Sequence, residues 1–222
     1  MTCGPTGAQG LAVTSGALSS GSAYTVSMWL RQTAATTGQA WTLFKTPGGG
    51  DYIALSSVGA VPKFWVDGGT LVTIPGGNLT LNAWEAFCLS YDGAGTVKIY
   101  RSQGGAALAL QLTQAVSYAG NADSSYYMND ESLGSTSRWR GQAGFFKEWQ
   151  AALSLAELQH ETFKAWPSRT ANLLRFLPCL KNATAATDFS GRGGSATKTG
   201  TLTDVATSPP LRWRGREIQL QD

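Results

Sequence analysis

The amino-acid sequence predicts an all-β, antiparallel sandwich with one short helix near residues 155–164. Three observations predict it. Apolar residues recur at every second position in short runs, the period of a strand with two different faces. Turn signals rich in Gly, Asn and Asp interrupt those runs roughly every ten residues, the spacing of sandwiches and barrels. Charged residues make up only 14% of the 222-residue chain, while glycine fills 27 positions. That composition suits short strands and tight turns, not helices rich in Glu and Lys. A chain of this length is ample for one buried core.

Residues 9–30 read as two strands, with Leu11 and Val13 alternating in the first and Tyr24, Val26 and Met28 in the second. The Gly/Ser-rich stretch between them is a connection. AWTLFKT at 40–46 is the next strand, closed by PGGG at 47–50. DYIALSSV, PKFWV and TLVTIP follow, separated by DGG at 67–69 and limited by the glycine pair at 76–77. A hairpin then turns through DGAG at 92–95. On its first strand Phe87, Leu89 and Tyr91 face one way, and Trp84, Ala86, Cys88 and Ser90 the other. Val97 and Ile99 alternate with Lys98 and Tyr100 on its second strand. Residues 106–118 are a weaker apolar stretch, and 119–132 form a strand or loop around Tyr126, Tyr127 and Met128.

GQAGFFKEW at 141–149 is a strand, after which the period changes. Ser154 and Glu157 have the spacing of a capping box, so a helix starts there and Pro167 limits it. ANLLRFLPCL reads as a strand ended by Pro178, DFSGRGGSATKTG as turns, and PPLRWRGREIQLQD as a loop with a terminal strand or arm. The glycine clusters at 48–50, 68–69, 76–77 and 104–105 supply positive φ in turns. The chain has no G-x-x-x-x-G-K-[ST] phosphate loop.

The net charge of +3 is uneven: residues 1–164 sum to −1 and residues 165–222 to +4. RWRG occurs at 138–141 and again at 212–215. Mixed Trp and Arg there make Trp139, Arg212, Trp213, Arg214 and Arg216 candidates for a partner interface, against the plain reading of a solvated basic tail. No strongly basic face exists for nucleic acid. Cys3, Cys88 and Cys179 have no C-x-x-C spacing, so three free thiols are expected, with one pairing left open. No apolar run reaches a membrane-spanning length. Residues 1–20 lack a basic start and a continuous apolar run, so no secretory signal is expected.

Catalytic signatures fail one by one. A glycosidase needs two carboxylates across a sugar bond. No E-x-D-x-x-E strand is present, and Asp130 and Glu131 are adjacent, hence on opposite faces of a strand. His160 is the sole histidine, and HETFK is not H-E-x-x-H, which leaves a surface or interface role. No enzyme is expected.

AYTVSMWLRQT, AWTLFKT, WEAFCLSYDGAGTVKIYRSQG and GQAGFFKEWQAALSLAELQ, in that order over about residues 9–165, resemble the laminin-G-like, concanavalin-A-like jelly roll. The matching pieces are residues 24–29, 84–93 and 144–158, the last being the most specific. ANLLRFLPCLKNATAATDFSGRGGSATKTGTLT resembles the segment that normally begins such domains, with Asp188, Ser190, Gly191 and Gly193 in its D-x-S-G-x-G motif. Here it comes last. The chain therefore reads as a circularly permuted or strand-completed jelly-roll β-sandwich: an arm at 1–8, a sandwich over 9–210 in which 166–210 supply strands that usually come first, and a basic-aromatic arm at 211–222.

The resemblance implies possible ligands. The family often holds calcium at a loop end, which makes Asp123, Asn129, Asp130 and Asp188 oxygen-ligand candidates, with turn capping as the competing role. Exposed rings stack on sugars, so Trp41, Trp65, Tyr126 and Tyr127 are glycan candidates, while Trp29 and Trp84 are expected in the core. Modules with this D-x-S-G-x-G segment resemble ones in phage structural proteins. The expected function is accordingly a non-catalytic virion structural protein, a bacteriophage capsid decoration (cement) protein or a head- or tail-attached appendage. It would be homo-oligomeric and partnered by a major capsid or tail protein. The alternative is a carbohydrate-binding adhesion module.

Overall fold

The computed structural model describes residues 2–3, 10–14, 21–34, 36–45, 54–66, 70–117, 125–128, 141–178, 187–192, 195–199, 208–213 and 216–217. The first strands are β1 (Thr2–Cys3), β2 (Gly10–Thr14), β3 (Tyr24–Gln32), β4 (Thr36–Lys45), β5 (Ala54–Gly59), β6 (Val61–Val66) and β7 (Thr70–Thr73). Then come β8 (Glu85–Tyr91), β9 (Thr96–Gln103), β10 (Ala109–Ala115), β11 (Ser125–Met128) and β12 (Gly141–Trp149). Helix α1 (Leu155–Thr162) precedes β13 (Leu173–Leu177), β14 (Ser195–Thr199), β15 (Arg212–Trp213) and β16 (Arg216–Glu217). The chain is mostly β with antiparallel pairing, as the alternation predicts.

A seven-stranded sheet runs β1-β12-β3-β8-β9-β10, with β13 also paired to β12. A four-stranded sheet runs β4-β5-β6-β7, and a three-stranded one runs β11-β2-β14. β11 lies against β4. Register aligns the apolar positions of the large sheet: Val26 opposite Leu89 and Met28 opposite Phe87 on β3 and β8, then Leu89 opposite Ile99 on β9. These side chains form one core with Leu55, Phe64 and Ile74 from the four-stranded side. The β8–β9 turn is closed by Asp92, whose Oδ1 accepts the amides of Ala94 at 2.7 Å and Thr96 at 2.9 Å. Gly93 in that turn has φ of 80°, and a Cβ there would come within 2.9 Å of the Ala23 nitrogen, so the position demands glycine.

The other face of the large sheet is buried too. Trp29, Ala86, Cys88, Tyr100, Phe145, Trp149 and Phe176 pack with Leu153, Leu158 and Phe163 of the helical segment. All seven residues of β8 are therefore buried. Its alternation separates two cores rather than core from water. On β12 the register shifts between Gly144 and Lys147, and Phe145 takes φ of 53°. This bulge sends Phe146 into the first core and Phe145 into the second.

α1 begins as its capping box requires. Ser154 N donates to Glu157 Oε2 at 2.8 Å, and Glu157 N donates to Ser154 Oγ at 3.4 Å. The amide of Ser154 holds the Glu157 carboxyl below its usual pKa. The helix ends at Thr162 rather than 164. Lys147 of β12 reaches its C-terminal end and donates to the carbonyls of Glu161 at 2.5 Å and Lys164 at 2.6 Å. A cation there satisfies carbonyls that a further turn would otherwise use.

The stretch after residue 166 supplies β13, antiparallel to β12, and β14, antiparallel to β2. The weak apolar stretch at 106–118 forms β10, a largely exposed edge strand. Among the described residues no helix is long and apolar enough to cross a membrane.

Candidate functional site

Alternation on β6 decides what the four-stranded sheet shows outward. Phe64 is fully buried in the core between the sheets, so its neighbours Lys63 and Trp65 lie on the opposite face, each half-buried. Across the β6–β7 ladder, Trp65 is opposite Leu71 and Lys63 is opposite Thr73. Lys63 Nζ donates to Thr73 Oγ1 at 2.5 Å. An indole beside an aliphatic neighbour, with an ammonium and a hydroxyl on the same face, offers an apolar platform and polar groups together. Such a pair suits a ligand with one apolar face and a rim of hydroxyls.

Backbone register places Trp41 on β4 opposite Ser56, and Ser56 opposite Lys63. Trp65 is opposite Ala54, two positions along β5 from Ser56. Trp41 and Trp65 thus lie two rungs apart in one sheet, on strands separated by β5. Tyr126 and Tyr127 belong to the three-stranded sheet instead, opposite Val13 and Ala12. Trp29 is fully buried, as expected, and Trp84 packs partly buried against the second core.

Asp188 tests the metal expectation. Its Oδ1 accepts the amides of Phe176 at 3.0 Å and Ser190 at 2.9 Å, and its Oδ2 accepts the Ser190 hydroxyl at 2.8 Å. A carboxylate surrounded by these donors works as a turn cap tying the D-x-S-G segment to β13. Asp123, Asn129 and Asp130 lie outside the described residues. Among the described residues no group of three or more His, Cys, Asp or Glu is placed to hold a metal. Of the interface candidates, Trp139 and Arg214 also lie outside, while Arg212 pairs with Glu217 and Trp213 with Arg216 in the β15–β16 register.

Three buried acids are committed to structure. Glu85 pairs with Arg101 at 2.7 Å in the interior and accepts the Thr80 amide at 2.8 Å. Arg101 in turn donates to the carbonyls of Gly77 at 2.7 Å and Asn78 at 2.9 Å, pinning the loop into β8. Glu148 pairs with Arg175 at 2.6 Å, also buried. Glu161 is buried and accepts the amides of Ser168 at 3.0 Å and Arg169 at 2.9 Å. Such carboxylates build the fold rather than stand ready for acid–base work.

Beneath α1 lies a polar cluster that the sequence did not reveal. Cys88 is free and buried, with Sγ 3.1 Å from Thr162 Oγ1 and 3.5 Å from Ser27 Oγ. Burial pushes its thiol pKa up. Burial likewise lowers Lys147 to about 8. The sole histidine, His160, is exposed, with Nε2 2.6 Å from Lys164 Nζ.

Comparison with known proteins places this architecture. The laminin-G-type profile of the concanavalin A-like lectin/glucanases superfamily matches residues 5–159. No curated protein sequence matches significantly. Among solved structures, a Bacteroides ovatus protein described as carbohydrate binding superposes with a TM-score of 0.66 at 14% identity, over 92% of this chain and 60% of its own. The chain thus spans 60% of that protein's length. A heptameric SAP-like pentraxin from Limulus polyphemus gives 0.59 at 12% identity, over 89% of this chain and 88% of its own. Domain 4 of an extracellular arabinanase from Geobacillus stearothermophilus, solved with arabinotriose, gives 0.52 at 17% identity, over 68% and 71%. At these identities the likeness is one of fold.

Proposed function

The chain belongs to the concanavalin A-like lectin/glucanases superfamily, and from that premise we propose that it is a non-catalytic, lectin-like carbohydrate-binding module. Trp65 on the outer face of the four-stranded sheet is the stacking platform. The observation that carries this reading is the placement of that indole beside Leu71 and the Lys63–Thr73 hydrogen bond, outward from a fully buried Phe64. Support comes from the company the fold keeps: one structural neighbour is described as carbohydrate binding, and another was solved with an oligosaccharide. The commitment of the three buried acids to amides and guanidinium groups supports a binding role over hydrolysis. The virion-structural reading, with arms docking to capsid or tail proteins, rests on its sequence motif alone and yields to this one.

The test is a glycan array with the intact chain and its Trp65→Ala variant, with melting temperatures measured alongside. We expect at least one glycan to bind, and Trp65→Ala to weaken it tenfold or more, about 1.4 kcal/mol, without unfolding the protein. Undiminished binding by a folded variant would remove Trp65 from the site.

A further inference from the structure

The large sheet's second face carries α1 and the loop at 163–172, on the opposite side of the sandwich from Trp65. We infer that this side holds a second sugar site, formed by the exposed aromatic pair Trp166 and Phe189 together with the polar depression between α1 and the loop, and that its ligand is a neutral oligosaccharide. The ligand class rests on the carbohydrate-binding reading above; the location is independent of Trp65.

Two large aromatic side chains share this surface, Trp166 at 42% and Phe189 at 44% exposure. Their rings meet edge to face with centroids 5.6 Å apart. Trp166 is also edge-on to Phe176 at 5.1 Å, and that third ring is fully buried. The exposed pair is therefore anchored to the core. Its backbone is anchored too. The Phe189 amide donates to the Phe176 carbonyl at 2.9 Å, next to the Asp188 cap. The loop around Trp166 is held from beneath by Glu161, by Lys147 on the Lys164 carbonyl, and by Trp149 Nε1 on the Arg169 carbonyl at 3.0 Å. Rings fixed before the ligand arrives lose little entropy on binding.

The polar half begins two residues on from Trp166, where Ser168 and Arg169 of the loop meet α1. A shallow depression of about 450 Å³ is lined by Ala156, Glu157, His160, Glu161, Ser168 and Arg169. It continues past Ala156 and His160 into one of about 350 Å³ beside Gln159 and Phe163. It carries both donors and acceptors: the exposed His160 ring, the Ser168 hydroxyl bonded to Glu161, and the partly exposed Arg169–Glu157 ion pair. Sugar hydroxyls both donate and accept, so a mixed set fits them. Charge selects within the class. The cations here are already engaged, Lys164 with the His160 ring, Arg169 with the Glu157 carboxylate and buried Lys147 with backbone carbonyls, so none of the three stands free to favour sialylated or sulfated glycans.

Indole nitrogen–proton NMR on the full chain tests this, with Trp166→Phe assigning the Trp166 signal. The probes are arabinotriose, xylotriose and cellotriose, with 3′-sialyllactose as the acidic control. We expect a neutral probe to shift the Trp166 signal in both wild type and Trp65→Ala. Phe189→Ala and His160→Ala, both at exposed positions, should weaken that shift's apparent affinity several-fold. Movement of Trp65 alone would overturn the second site and leave the proposed function standing. Movement of Trp166 alone would support the second site and count against Trp65. A response only to 3′-sialyllactose would overturn the neutral-ligand assignment, and no response at Trp166 to any probe would overturn the site.

Discussion

The two faces of the seven-stranded sheet are buried by different means. Toward the four-stranded sheet, contact is made mainly by apolar and aromatic side chains such as Val26, Met28, Phe64, Phe87, Leu89 and Phe146, with the Glu85–Arg101 pair beside Phe87. Under α1, Trp29 and Trp149 share the interior with Thr25, Ser27, Lys147 and Thr162. These polar groups make directional bonds. Trp29 Nε1 donates to the Thr162 carbonyl at 2.9 Å, Ser27 and Thr162 hydroxyls meet at 3.1 Å, and Thr25 Oγ1 donates to the Ala151 carbonyl at 2.7 Å while accepting the Leu153 amide at 3.0 Å. A sheet carries its own address, because ladder register and pleat fix which residues meet. An eight-residue helix is too short to be stable alone and has no ladder. Hydrophobic burial is non-directional, so the polar bonds fix where α1 sits.

Adjacent residues of β12 enter different interiors. Phe146 enters the apolar core, and Phe145 enters the mixed one. Phe146→Ala should cost about 3–5 kcal/mol, as large cavities in well-packed cores do. Phe145→Ala should cost less, because that side chain is packed near the edge of its core with 8% exposure against 0% for Phe146. Urea denaturation of both variants gives the ranking. Equal costs would mean that the two interiors are packed alike.

Lys147 sharpens the contrast from the polar side. Lys147→Met keeps the buried stem but removes the amine from the Glu161 and Lys164 carbonyls, the first of which retains the Lys164 amide at 3.3 Å, for about 1–3 kcal/mol. The pH dependence carries the signature. Burial lowers the folded pKa from 10.5 to about 8, so between those values the unfolded chain binds a proton that the native state has released. Stability of wild type relative to Lys147→Met should therefore rise as pH climbs from about 8 to 10.5 and be flat below that window. Cys88 titrates nearby with the opposite sign, its folded pKa being raised by burial and pulled back by the Lys147 charge, so both chains are compared in a Cys88→Ala background. Guanidinium melts at stepped pH measure that difference; one that stays level or falls across the window would refute the buried-amine account.

Much of this was legible in the sequence where the physics is local. Ser154 and Glu157 announce the helix start because both halves of the box lie within one turn. The DGAG turn is legible because Asp92 serves amides two and four residues on. Phe87, Leu89 and Tyr91 share a face because the pleat requires it. What stayed hidden depends on residues distant in sequence. Thr25, Ser27 and Lys147 carry polar side chains of the kind that usually face water, and α1, far from Thr25 and Ser27 along the chain, covers them. The helix stops short of Pro167's limit at a point where an amine from β12 takes the Glu161 carbonyl and the Lys164 carbonyl just beyond the helix. Trp65 stood out as a ring on a strand flanked by turn signals. Trp166 and Phe189 did not, since only the folded chain brings the helix-exit loop and the D-x-S-G segment edge to face.

The smallest expected effect tests whether the two faces are separable. Ser154→Ala removes one half of the capping box and should cost about 1 kcal/mol. If directional bonds seat α1 while the apolar core stands without it, hydrogen exchange should quicken at the amides of Glu157, Leu158 and Leu153 and stay unchanged at Val26 and Leu89. The cost should also shrink in acid. The Ser154 amide and the Ser154 hydroxyl both hold the Glu157 carboxyl below its ordinary value of 4.5; the variant keeps the amide and loses the hydroxyl, so that hydroxyl's contribution is present above 4.5 and fades as pH falls through the lowered value. Uniform acceleration across both faces would show that α1 and the apolar core open as one unit, and the polar cluster would then be part of a single cooperative interior rather than a latch on its surface.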